Sequence, residues 1–288
     1  MVNLIQMIGI KYLIGAVLMA ASFISCEESG NKTATANENE AENEVVVERT
    51  LRVMSYNIHH ANPPSIEDKI DIEAIVKVIK AENPDLVALQ EVDFNTERSG
   101  EGNQAELIAE ALDMEYYFAK AIDYDNGEYG NAILSKFPIK NSEILALPSH
   151  PEDNTENRVV ALGLIEINAN QNILFGSTHL DYKTDSKSRI LQVKKLIEMA
   201  SEWNEPLILG GDFNDGPNSE TIQLLDSELK RTCKTCPPTI PVENPKRAID
   251  FIYYKHPQAK FQVKSHKVMP EEYASDHRPV FAEIDIVK

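Results

Sequence analysis

Four short clusters of acidic, amide and histidine side chains carry the chemistry this chain could do: Asn57 in SYNIHH, Glu91 in LQEV, Asp212 with Asn214 in GDFND, and Asp276 with His277 in SDHRP. Each lies where an apolar, strand-like run ends, which is where an α/β fold gathers side chains into one cleft. Glu91 follows DLVALQ, so its carboxylate should project from a strand end. A hard cation such as Mg²⁺ is held by one or two carboxylates while it keeps several waters, and Glu91 is the expected metal ligand. The amide oxygen of Asn57 could complete that metal shell or orient Glu91. If GDFND stays extended, Asp212 and Asn214 project to one face, one activating water and the other holding a phosphoryl oxygen. His277 could protonate a leaving oxygen or stabilise a charged phosphoryl group once a carboxylate orients its other nitrogen. Asp250, in AIDFIYY, is the expected orienter, and His179, in STHLD, offers a second imidazole.

Taken singly, each motif has a plainer reading. A strand-end glutamate faces water, an asparagine after a strand makes a turn, and Asp-x-Asn closes a strand as an Asx-turn. Two histidines and several carboxylates, all at strand ends, are harder to explain that way. His59 and His60 suggest zinc, but no HExxH or equivalent spacing supports it. Cys233 and Cys236 form a lone CxxC without a second pair or a nearby histidine. In an exported protein a local disulfide is expected there rather than a zinc site.

The elements that must position these residues alternate from residue 50 onward. LRVMSYNI (51–58) and DLVALQ (85–90) read as buried strands around a helix with Ile72, Ile75, Val76 and Ile79 at helical spacing, stopped by Pro84. A second helix carries Leu107, Ile108, Ala111 and Leu112, and a third runs from about Ser186 to Trp203. Strands are expected near 115–120, 130–135, 158–167 and 173–180, then at PLILGG, AIDFIYY, FQVKSH and PVFAEIDI. Many strands with few helices predict two packed sheets flanked by helices in one domain, residues 50–288.

The N-terminal part reads differently. Residues 12–24, YLIGAVLMAASFI, have the length of a signal-peptide core and fall short of the roughly 20 apolar residues that span a membrane. FISC, ending at Cys26, resembles the lipobox of bacterial lipoproteins, so residues 1–26 are expected to be a lipoprotein signal with Cys26 lipidated. An ordinary cleaved signal and a secreted product is the alternative. Residues 27–49 are polar and acidic and read as a solvated tether. The expected location is the cell envelope, membrane-anchored through the N-terminal lipid. Net charge is −18 among 288 residues, which disfavours non-specific gripping of nucleic acid, since that needs lysines and arginines set against phosphates.

Together, SYNIHH, PDLVALQEVD, YGNAILSKFPI, NRVVALGLIEI, STHLD, LILGGDFND, IDFIYY and SDHRPVFAEI, in order over residues 51–286, resemble the endonuclease/exonuclease/phosphatase superfamily. Within it, SYNIHH and PVENPKRAIDFI resemble exported bacterial metal-dependent hydrolases, which are similar to a domain of eukaryotic proteins implicated in glycosylphosphatidylinositol remodelling. The resemblance implies a four-layer α/β/β/α sandwich with a divalent-metal site at one edge. It implies that Glu91 binds Mg²⁺, or alternatively Mn²⁺, with help from Asn57, and that Asp276 supports the metal region. Asp212 would orient or deprotonate water, Asn214 would position water and phosphate, His277 with Asp250 would assist at the phosphoryl group, and His179 would stabilise the transition state. Asn131 and Arg158 match positions that lie near the phosphate or support the cleft. His59 stands where apurinic nucleases have aspartate, which weakens any DNA-repair specificity.

The function expected is metal-dependent hydrolysis of a phosphodiester or phosphomonoester, with a lipid headgroup as one substrate class, by a monomer. A nuclease is the second reading. A non-catalytic surface binding protein on the same fold is the third, and it requires loss of an essential residue, which the sequence does not show.

Overall fold

Alternation along the first strand sets the layers. In β1 (Val47–Asn57), Leu51 and Val53 point to one side and Met54 and Tyr56 to the other, all buried. Side chains two apart share a face of a strand, so a strand apolar on both faces must be covered twice. The structure is a computed structural model describing residues 46–257 and 260–287. The signal segment, Cys26 and most of the expected tether lie outside the described residues. The last tether residues are an exception: Val47 and Arg49 pair with Val287 and Ile286, so β1 begins before Thr50. No helix among the described residues is long and apolar enough to cross a membrane.

Two sheets of six strands face each other. The first has the order β11 (Phe261–Val268), β12 (Val280–Val287), β1, β2 (Leu86–Phe94), β4 (Gly127–Ser135), β3 (Glu115–Tyr124). The second runs β5 (Ile139–Leu147), β6 (Arg158–Asn168), β7 (Gln171–His179), β8 (Leu207–Asp212), β10 (Asp250–Lys255), β9 (Lys230–Arg231). Only β1–β2 and β7–β8 are parallel pairs, at the middle of each sheet. Leu86, Ala88, Ile133, Ala161, Phe175 and Ile208 fill the space between the sheets. Truncating a wholly buried phenylalanine such as Phe175 to alanine costs about 3–5 kcal/mol.

The outer faces are covered by helices whose ends are written in the sequence. α1 (Ile72–Glu82) is capped by Asp71, which accepts from the Ala74 amide at 3.1 Å, and it stops at left-handed Asn83 before Pro84. α2 (Gln104–Leu112) is capped by Asn103 in the same way. Both pack Ile75, Ile79 and Ile108 on the first sheet. α3 (Lys187–Glu202) and α4 (Glu220–Asp226) cover the second with Val193, Leu196, Ile222 and Leu225. The expected four-layer sandwich is therefore the observed one. The sequence reading lacked β5, β9 and α4. β5 is an edge strand with an exposed face (Lys140 to Glu143), so it has no full apolar alternation. Cys233 and Cys236 form the expected disulfide.

Candidate active site

Strand register brings the dispersed side chains together. His179 on β7 pairs with Asp212 on β8, and Asp212 pairs with Asp250 on β10, so three site residues lie side by side at one edge of the second sheet. On the facing sheet Asn57 pairs with Gln90, one residue before Glu91. The turn before β12 returns to the same edge: Ser275 Oγ donates to the Asn57 carbonyl at 2.7 Å and accepts from the His277 amide at 3.1 Å. Gly210 lets the sheets close beneath this point, because a Cβ there would lie 2.7 Å from the Ala88 side chain and 3.0 Å from Ser55.

Glu91 does not end its strand. β2 continues to Phe94, and the register slips between Leu89 and Val92, with Glu91 at φ 57°. A β-bulge re-aims a side chain, and a left-handed glutamate is held only where its surroundings over-determine it. The bulge breaks strict alternation, so that Leu89 and Val92, three residues apart, both face the helices, and it turns the carboxylate toward Asn57. Asn57 Nδ2 donates to Glu91 Oε1 at 2.9 Å and to Asp212 Oδ2 at 3.1 Å, while its oxygen accepts from the His59 amide at 3.0 Å. Of the two roles expected for Asn57, this geometry is that of orienting the carboxylates; its oxygen is engaged.

Asp212 Oδ2 is the centre of the cluster, with His179 Nε2 at 3.6 Å and His277 Nε2 at 3.7 Å. His277 Nδ1 donates to Asp250 Oδ2 at 2.9 Å, which fixes Nε2 toward Asp212. The same Asp250 oxygen accepts the buried Thr239 hydroxyl at 2.5 Å. The GDFND segment is not extended. Asn214 has φ 51°, and its amide donates to Asp212 Oδ1 at 2.9 Å, an Asx-type turn. Turned this way, Asn214 Nδ2 donates to His179 Nε2 at 2.9 Å and to the Leu180 carbonyl at 3.0 Å. Asn214 thus reaches the cleft through the turn rather than through strand alternation.

Burial and crowded charge set the protonation states. Burial first, then the Asp250 carboxylate, raise Asp212 to about 7 against the pull of His277, the Asn214 amide and Asn57. Burial would depress His277, but Asp250, Asp212 and Asp276 outweigh it and push it up to about 10. Burial and then Arg158 and His277 hold His179 well below the ordinary histidine value, so its imidazole is neutral. Burial also raises Glu91, partly offset by the Asn57 bond and reinforced by Asp276.

Arg158 opens β6 nearly buried, 4 % exposed, with one terminal nitrogen 3.2 Å from Glu156 and its Nε without a partner among the described residues. Asn131 Nδ2 donates to the Val159 carbonyl at 2.9 Å, joining β4 to β6 across the two sheets. That supports the cleft. His59 and His60 stack beside Asn57 with ring centroids 4.5 Å apart in a turn of three left-handed residues, His59 to Ala61. Neither joins a group of three metal-ligating side chains among the described residues. The sequence reading missed Thr239, Ser275 and the Gln90–Ser177 link between the sheets (2.9 Å). Hydroxyls and amides of this kind carry no spacing signal, and only the fold makes them neighbours. A groove of about 880 Å³ between α1 and residues 269–274 holds none of the expected site residues.

Two sets of side chains could hold a cation. Asp212, Asp250 and His277 place their ligand atoms within 4.8 Å of one another, and Asp250 Oδ1 is buried without a partner among the described residues. Asp250 and His277 are already hydrogen-bonded to each other, however, and the raised His277 carries a positive charge. Asp276 instead adds to the electrostatic cost of the Glu91 charge, and neither carboxylate has a Lys or Arg ion pair among the described residues. Hard oxygen ligands with unneutralised charge fit Mg²⁺ or Mn²⁺.

Comparison with known proteins agrees with this fold. YbhP, an uncharacterized protein of Escherichia coli (strain K12), is 25% identical over 252 residues, covering 82% of this chain and 97% of YbhP. Among solved structures, an endonuclease/exonuclease/phosphatase from Beutenbergia cavernae DSM 12333 superposes with TM-score 0.71 at 22% identity, covering 83% of this chain and 72% of that one. A mannosyl-6-phosphatase from Bacteroides thetaiotaomicron VPI-5482 does so with TM-score 0.67 at 23% identity, covering 81% and 99%. The model of the Endonuclease/Exonuclease/phosphatase family matches residues 54–277, and the chain belongs to that family.

Proposed function

We propose that the protein is a divalent-cation-dependent phosphoester hydrolase of the cell envelope, acting on small or lipid-headgroup phosphoesters with Mg²⁺, or alternatively Mn²⁺, as cofactor. Members of its family are hydrolases of phosphoester bonds, and one structural neighbour is a sugar phosphatase by name. The observation that carries the reading is convergence: Asn57, His179 and His277 surround one oxygen of Asp212 at 3.1, 3.6 and 3.7 Å. The apolar run 12–24 and Cys26 support the envelope assignment and a lipid anchor.

Glu91 and Asp276 would hold the cation, with Asn57 fixing the Glu91 carboxylate. When bound, the cation neutralises phosphate charge and polarises the phosphorus–oxygen bonds. Asp212, raised to about 7, orients water and takes its proton near neutral pH. Asn214 positions that water and the phosphate. Neutral His179 accepts from Asn214 and so holds that amide in place, and the Arg158 guanidinium faces charge that builds on the phosphoryl oxygens. Protonated His277, held by Asp250, stabilises the same charge and supplies a proton to the departing oxygen.

Asp212→Asn and His277→Ala are each expected to lower metal-dependent hydrolysis of bis-p-nitrophenyl phosphate by about 10²–10⁴-fold in a protein that stays folded and melts cooperatively. Wild-type turnover in either variant would remove the assigned role. Plasmid cleavage faster than phospholipid cleavage across a salt series would favour the nuclease reading instead.

A further inference from the structure

Tyr182 is the most exposed of the large hydrophobic side chains among the described residues, at 62 %, yet the backbone that carries it is held from beneath. Buried Arg189 (5 % exposed) donates through one nitrogen to the carbonyls on both sides of it, Asp181 at 2.9 Å and Lys183. Its Nε is held by Asp215 at 3.2 Å, just beyond the GDFND turn. The Asp181 amide donates to Gln192 at 3.0 Å, and its carboxylate accepts the Thr155 hydroxyl. An exposed aromatic ring on a free loop is unremarkable. One displayed from a loop clamped by a buried arginine has lost its freedom before any ligand arrives, which is the arrangement that favours recognition.

The surroundings say what it recognises. Tyr182 stands three residues after His179, and the Arg158 guanidinium lies 5.9 Å from its ring centroid. The ring therefore borders the phosphate side of the cleft. Glu156, paired with Arg158 at 3.2 Å and 42 % exposed, adds a carboxylate that accepts from hydroxyls. The basic side chains of these loops are already engaged: Arg158 with Glu156, Arg189 with Asp215, Lys187 with Glu152 and Asp185, Lys183 with the Asn154 carbonyl. Little is left for a second or third phosphate, and the net charge of −18 argues the same way.

We propose that Tyr182 is the platform on which the alcohol part of the substrate stacks, and that this part is a polyol ring, a sugar or cyclitol, bearing one phosphoester. The inference rests on the hydrolase reading above and names its leaving group. The C–H face of such a ring packs on the tyrosine, and its hydroxyls reach Glu156. The ring can belong to a free sugar phosphate or to a lipid headgroup.

The test is steady-state kinetics with Mg²⁺ on wild type, Tyr182→Ala and Tyr182→Phe. Substrates are hexose 6-phosphates, inositol 1-phosphate, phosphatidylinositol vesicles, ring-free glycerol 2-phosphate, and nucleoside 5′-monophosphates. Wild type should favour polyol-ring esters at least tenfold in kcat/KM over glycerol 2-phosphate and the nucleotides, and the free and vesicle arms separate the two sources of the ring. Tyr182→Ala should lower kcat/KM on the preferred ring ester by at least tenfold, chiefly through KM, with a smaller loss on glycerol 2-phosphate. Tyr182→Phe, which keeps the platform, should stay within threefold of wild type. An equal loss on ring and ring-free esters, or a wild-type preference for nucleotides, overturns the inference while leaving a metal-dependent hydrolase. Failure to hydrolyse any of these esters or bis-p-nitrophenyl phosphate overturns both.

Discussion

Asp250→Asn is the substitution whose effect can be worked furthest from the geometry. It keeps the shape of a side chain that receives His277 Nδ1 at 2.9 Å and the Thr239 hydroxyl, and it removes only the charge. His277 stands at about 10 because Asp250, with Asp212 and Asp276, outweighs burial. Taking burial and the two remaining carboxylates to cancel once Asp250 is neutral, His277 falls to its reference value of about 6.5. At pH 8 the protonated fraction then falls from nearly all to about 3 %, a loss of about 30-fold in the active form; at pH 6 the loss is under about twofold. Asp250 is also the charge that, after burial, raises Asp212 to about 7, so the base ionises at lower pH in the variant. The wild-type rate should rise as pH climbs through the Asp212 value and fall as it passes the His277 value. A bound cation moves the first limb to lower pH. Both limbs should move toward acid in Asp250→Asn. The assay is kcat for bis-p-nitrophenyl phosphate from pH 5.5 to 9.5 with saturating Mg²⁺, beside a thermal melt. A deficit of the same size at every pH would refute the reasoning and leave Asp250 with a positioning role alone.

Two further outcomes follow from the same cluster. Glu91→Gln removes the unneutralised charge on the bulge while leaving a partner for Asn57, so half-maximal activity should require at least about tenfold more Mg²⁺, measured by metal titration after EDTA treatment. Thr239→Val deletes a buried hydroxyl donor to a carboxylate, a bond worth about 1.5–3 kcal/mol; it should lower the melting temperature and reduce kcat about tenfold with KM little changed, whereas Thr239→Ser should restore both.

How much of this was legible before any coordinates is best judged residue by residue. The continuous apolar runs of β1, β2, β8 and β12 marked the strands, because strands buried on both faces lack a polar alternation. Asn57, His179 and Asp212 close their strands, Asp250 opens β10 and His277 precedes β12, and these five side chains meet at one edge. Two details went differently for a shared reason. Glu91 sits inside a strand at a left-handed bulge, and Asn214 sits in a left-handed turn. Both are non-glycine residues at positive φ, which local propensity argues against and which tertiary contacts enforce. Thr239 was unreadable because its role depends on a contact with Asp250, eleven residues away through an irregular segment.

The strained positions and the charge pattern are two sides of one design. Under the proposed function an anionic ester enters a cleft that already holds Glu91, Asp212, Asp250 and Asp276, in a chain of net charge −18, so the acids have to be divided by task. The bulge turns Glu91 toward the Asp276 side, where no lysine or arginine pairs either carboxylate among the described residues, and this is the side with charge left over for a cation. Asp250 is spent on His277, and the pair carries little net charge. Asp212 lies between them, bonded through Asn57 to the Glu91 side and facing His277 on the other, and burial with the Asp250 charge raises it to about 7. Under the proposed function, a group placed between the cation and an imidazolium is the one whose proton affinity each side can adjust. That is the property a general base for water needs, and it follows from burial and the Asp250 charge, which raise Asp212 against the pull of His277 and the Asn57 bond.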